Sequence, residues 1–105
     1  MVKQYIIYDI LFEGEYLNGE RYVGKESVKE GLIFEGEFLN EKQWNGKGKE
    51  YYIGGNLLYE GEYKNGKKNG KGKKYFYDGE INFIGEYLND LKWNGKGYDI
   101  NGNFI

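Results

Sequence analysis

The sequence predicts an all-β fold, an elongated single-layer antiparallel meander of repeated β-hairpins. Three observations carry that expectation. A short phrase, aromatic–Glu–Gly–Glu–aromatic, recurs as Phe12–Tyr16, Phe34–Phe38 and Tyr59–Tyr63, and once more as Phe83–Tyr87 with Ile84 in place of the first glutamate. Its central glycines, Gly14, Gly36, Gly61 and Gly85, stand 22, 25 and 24 residues apart, the period of a short supersecondary unit. Finally, 19% of the 105 residues are aromatic although 30% are charged and the mean hydropathy is −0.83. So many rings on so solvated a chain suit a thin sheet with one aromatic face, and argue against disorder.

The elements follow in order. Residues 1–11 read as part of a preceding unit, with Tyr5–Asp9 placed like a returning strand. Four units then occupy residues 12–33, 34–58, 59–82 and 83–105 of a single repeat domain. In each, the recurring phrase is the outgoing strand. Its alternation sends Tyr59, Gly61 and Tyr63 one way, and Glu60 and Glu62 the other.

An asparagine follows each central glycine by four residues, at Asn18, Asn40, Asn65 and Asn89. Asn-Gly and Asn-Asp pairs tolerate positive φ, so Asn18-Gly19, Asn65-Gly66 and Asn89-Asp90 read as hairpin turns. The returning strands carry Trp44-Asn45-Gly46-Lys47-Gly48, Asn69-Gly70-Lys71-Gly72 and Trp93-Asn94-Gly95-Lys96-Gly97, with Tyr22-Val23-Gly24-Lys25-Glu26 as a variant. Gly61 to Gly70 is 9 residues where the other units have 10, which predicts a third turn shorter by one residue. Gly54-Gly55 and Asp78-Gly79 mark connections between hairpins. Bare backbone at a glycine between two aromatics lets a ring from the neighbouring strand lie flat over it, which offsets the weakness of glycine in a strand.

The stretch Tyr59-Glu60-Gly61-Glu62-Tyr63-Lys64-Asn65-Gly66-Lys67-Lys68-Asn69-Gly70-Lys71-Gly72 resembles a MORN repeat (membrane occupation and recognition nexus). The resemblance extends over nearly the whole chain and is strongest over residues 34–97. It implies a hairpin-repeat sheet and a scaffold that organises complexes at membranes or the cytoskeleton. Two features depart from the family pattern: Trp-Asn-Gly-Lys-Gly in two units, and Ile84.

Chemistry is poorly supplied. Histidine, cysteine and threonine are absent and Ser27 is the only serine, so the usual nucleophile–base pairs cannot be assembled. The Glu-Gly-Glu carboxylates repeat in three units, whereas a catalytic pair occurs once; they read as solvent-facing partners of lysines on adjacent strands. Gly61–Lys68 imitates a phosphate-binding loop but lacks the Ser or Thr for magnesium, and it falls on a strand and turn. The expectation is a non-enzyme with no cofactor and no metal.

Two surfaces are candidates for binding. Tyr16, Phe38, Tyr63 and Tyr87, joined by Tyr22, Trp44 and Trp93, would line an uncovered face suited to a helix or peptide of a protein partner. Residues 42–75 hold nine lysines against three glutamates, and Lys64, Lys67, Lys68, Lys71, Lys73 and Lys74 follow one another without an intervening acid. That band offers the alternative: an anionic membrane surface or phosphoinositide headgroup. Choline-binding cell-wall repeats, also aromatic glycine-rich hairpins, suggest a further alternative, a quaternary cation held in aromatic cages. Nucleic acid is disfavoured by an isoelectric point near 5.3. Both termini read as stopping within a unit, which predicts self-association through the sheet edges. No apolar run is long enough to span a bilayer and no signal segment is evident, so a cytoplasmic location is expected, peripheral to membrane or cytoskeleton.

Overall fold

The computed structural model describes residues 2–7, 10–29 and 31–105. These form nine strands: β1 (Val2–Ile7), β2 (Ile10–Leu17), β3 (Glu20–Val28), β4 (Gly31–Leu39), β5 (Lys42–Tyr51), β6 (Leu57–Lys64), β7 (Lys67–Tyr75), β8 (Ile81–Leu88) and β9 (Leu91–Gly97). Each pairs antiparallel with the next, giving one open sheet in sequence order. The extents are 49 × 28 × 14 Å, so the molecule is a long single layer as the repeat predicts. Tyr8 and Asp9 of the expected opening strand lie outside the described residues.

Among the described residues, four two-residue turns close hairpins, with positive φ at Asn18, Asn40, Asn65 and Asn89. Asn40-Glu41 joins the three turns expected from the sequence, and its Glu41 adopts φ 65°. Beyond each turn the returning strand is bulged. Glu37 faces Asn45 while Phe38 faces Gln43, so Trp44 is the extra residue; Tyr22 and Trp93 hold the same place in β3 and β9.

The third hairpin corrects an expectation. Its turn is not shortened. Gly61 pairs with Gly72, not with Gly70, and Tyr63 pairs with Lys68, so Asn69 and Gly70 are taken up in the bulge. Gly70 supports this at φ 98°, a conformation that side-chain-bearing residues rarely adopt. The Lys71 amide then donates to Glu62 Oε1 at 2.6 Å.

Successive hairpins are clasped where one turn meets the preceding bulge. Asp90 N–H donates to the Lys68 carbonyl at 2.9 Å, and Lys68 N–H donates to Asp90 Oδ1 at 2.8 Å. Gly66 N–H reaches the Trp44 carbonyl at 2.8 Å, and Arg21 N–H donates to Glu41 Oε1 at 2.8 Å. Backbone groups that the bulges release from the ladder are thereby satisfied.

One face carries the core. Eight rings form an unbroken edge-to-face row in the order Tyr16, Phe12, Phe38, Phe34, Tyr63, Tyr59, Tyr87, Phe83, with centroids 5.2–5.9 Å apart. Each such contact adds about 0.5–1.5 kcal/mol beyond burial. The rings lie over a glycine stripe that crosses β2 to β5 as Gly14, Gly24, Gly36 and Gly46. On β5 it steps two residues to Gly48 and continues through Gly61, Gly72, Gly85 and Gly95.

Candidate interaction surface

The ring face is less open than the sequence suggests. Phe38 and Tyr87, expected as contact residues, are only 4% and 5% exposed, because rings of neighbouring outgoing strands close over them. Tyr16 and Tyr63 are half-buried at the same row. Long polar side chains from the returning strands cover what remains. The Arg21 guanidinium sits 5.0 Å from the Phe38 centroid and 5.6 Å from that of Phe12, and Lys68 Nζ lies 4.5 Å from that of Tyr59. Arg21 Nη1 donates to Glu26 Oε2 at 2.7 Å, and Gln43 Nε2 donates to Glu26 Oε1 at 2.7 Å. This buried carboxylate is therefore fully engaged.

Tyr22, Trp44 and Trp93 do not join the row. They stand at the bulges along the turn edge, where Tyr22 and Trp93 are exposed and Trp44 is half-buried beside Gly66 of the next turn. The lysine band also divides. Alternation and register send Lys68 and Lys74 to the ring face, with Lys68 Nζ 3.4 Å from Glu50 Oε2, and Lys71 and Lys73 to the opposite face. Lys64 and Lys67 close the hairpin beside the turn.

The opposite face holds a groove of about 750 Å³ that crosses β5 to β8. Its floor is the uncovered side of Gly48, Gly61, Gly72 and Gly85. Its rims are charged rows in which glutamate and lysine alternate from strand to strand: Glu35 opposes Lys47, Lys47 opposes Glu62, and Lys71 opposes Glu86. The second row sets Lys49 against Glu60 and Glu60 against Lys73. Leu32 and Ile84 line its apolar parts.

The groove residues Lys47, Lys49, Glu60, Glu62 and Glu86 were not among the sequence candidates. Their signal is present in the phrases Glu-Gly-Glu and Lys-Gly-Lys, which set like charges on both sides of a bare glycine. Tyr75 O–H donates to Glu60 Oε2 at 2.5 Å, and burial together with that bond pushes the Tyr75 hydroxyl up to about 12. On the ring face, burial raises Tyr59 and Tyr63 further, helped at Tyr63 by its 2.8 Å bond to Glu50.

The fold therefore defines a hairpin-repeat sheet with one packed ring face and one grooved, charge-laddered face. Residues 59–81, the third hairpin and the connection leaving it, match the family model of the MORN repeat. The third hairpin is thus a MORN repeat, a unit whose proteins are generally non-catalytic scaffolds engaging membranes or proteins. No curated protein matches the sequence.

Proposed function

We propose that this chain is a non-catalytic scaffold that holds a protein segment in the glycine-floored groove of β5 to β8. The observation that carries this reading is the groove itself, an elongated recess with bare backbone below and charged rims of both signs. Recesses of this size are where proteins hold ligands, and the repeat of one element per strand suits a linear partner. A lipid-headgroup reading draws less support, because Lys71 and Lys73 alternate with glutamates on adjacent strands.

Selection of displayed peptides against the chain tests the proposal. A shared motif should emerge, and its binding should be lost in the rim variants Lys47→Glu and Lys71→Glu. Undiminished binding to both variants would place the contact elsewhere and defeat the reading.

A further inference from the structure

We infer that the occupant of the groove is a partner α-helix laid across the strands, with one stripe reading acid, base, acid at i, i+3 or i+4, and i+7. This names the partner class for the scaffold reading and rests on it. The charges of the groove are sorted by strand. Lys47 and Lys49 flank Gly48, Glu60 and Glu62 flank Gly61, and Lys71 and Lys73 flank Gly72. A side chain standing over each glycine in turn meets two cations, then two anions, then two cations. The matching partner groups are an acid, a base and an acid.

Spacing decides the partner's conformation. Adjacent strands lie about 4.8 Å apart, so the two acids must be about 9.6 Å apart with the base midway. A helix rises 1.5 Å per residue, which places i+7 about 10.5 Å along and i+3 or i+4 about 4.5–6 Å along. An extended segment repeats a face every ~6.7 Å and overshoots the second acid position by about 4 Å.

Depth agrees. Charged residues two apart on one strand leave a slot ~6.7 Å wide, too narrow for a helix 10–12 Å across to reach the floor. The helix therefore rides on the rims and sends its charged ends downward.

The rim charges are available and partly fixed in place. Lys47, Lys49, Lys71 and Lys73 make no close ion pair among the described residues. The Tyr75 hydroxyl and the Lys71 amide hold Glu60 and Glu62, at 2.5 and 2.6 Å. Ile84 stands on β8 where the other units carry glutamate, so the fourth position keeps only Glu86 beside Gly85 and the second rim ends on an apolar side chain.

Three fluorescein-labelled alanine-based helical peptides test the inference by anisotropy at low salt. One carries Glu, Lys and Glu at i, i+3 and i+7; a second carries Lys, Glu and Lys there; a third has the first peptide's composition at i, i+2 and i+4. The first should bind about tenfold tighter than either other, a preference that salt reduces. Replacing Lys47, Lys49, Lys71 and Lys73 together with glutamine should remove the first peptide's advantage over the third, with an unchanged melting profile showing that the sheet persists. Equal binding of all three peptides overturns the inference. So does failure of all three while selected peptides still bind the groove, an outcome that leaves the scaffold reading standing.

Discussion

The hydroxyl of Tyr59 lies over Gly72, 2.7 Å from where a β-carbon on that glycine would stand. The same hydroxyl is buried without a hydrogen-bond partner. Ring and glycine are complementary: the flat side chain uses the space that the missing one leaves. Phenylalanine holds the corresponding place at Phe12, Phe34 and Phe83.

Tyr59→Phe should therefore stabilise the sheet by about 1 kcal/mol, since it removes an unsatisfied buried polar group and keeps the ring. Urea unfolding measures the shift in midpoint. A loss of stability would mean that the hydroxyl has a partner.

Gly72→Ala should destabilise by about 1–3 kcal/mol, because the new methyl meets the Tyr59 hydroxyl at 2.7 Å, the Tyr59 ring at 2.9 Å and the Tyr87 ring at 3.0 Å. Neither ring can swing away without opening the row. Lys71→Ala, one position away and exposed, should stay within about 0.5 kcal/mol. Similar losses for both variants would show that the ring contact is not the cause.

Arg21→Ala should cost about 3 kcal/mol, since it leaves Glu26, 7% exposed, with Gln43 alone and uncovers Phe12 and Phe38. Adding Glu26→Gln should recover part of the loss by removing the unpaired charge. No recovery in the double variant would assign the loss to packing over the rings.

Alkaline titration should unfold the protein earlier than its composition suggests. Tyrosine ionises at an ordinary value of 10.0, whereas Tyr75 is held up to about 12 and burial holds Tyr59 and Tyr63 higher still. Above pH 10 the unfolded chain loses protons that the folded chain keeps, so stability falls as pH rises from 10 through 12 and beyond. Melting temperature against pH, with phenolate absorbance alongside, reads both effects. A flat melting temperature across that interval would contradict it.

The alternation of rings, glycines and glutamates was legible because one face is buried: a slip of one residue would turn Phe12 and Phe34 to solvent. The slip in the third hairpin was not legible. Pairing Gly61 with Gly72 in place of Gly70 moves the register by two, which leaves every residue on its own face. The hydropathy pattern is the same either way. Burial of Phe38 and Tyr87 was hidden for a different reason. The rings that close over them belong to outgoing strands two places away across the sheet. The groove was written in Glu-Gly-Glu and Lys-Gly-Lys, but its charge order by strand emerges only once the strands are in register.

The two-residue step from Gly46 to Gly48 acts like a dislocation in a crystal. On either side of it the rings form separate buried groups, Phe12, Phe34 and Phe38 on one and Tyr59, Phe83 and Tyr87 on the other, and Tyr63 packs against both. A fault of this kind divides a periodic solid into two grains that share one boundary. Strain applied along the sheet concentrates there. Tyr63, lying against Gly48 and packed on both ring groups, is the one side chain of the row that the two grains share.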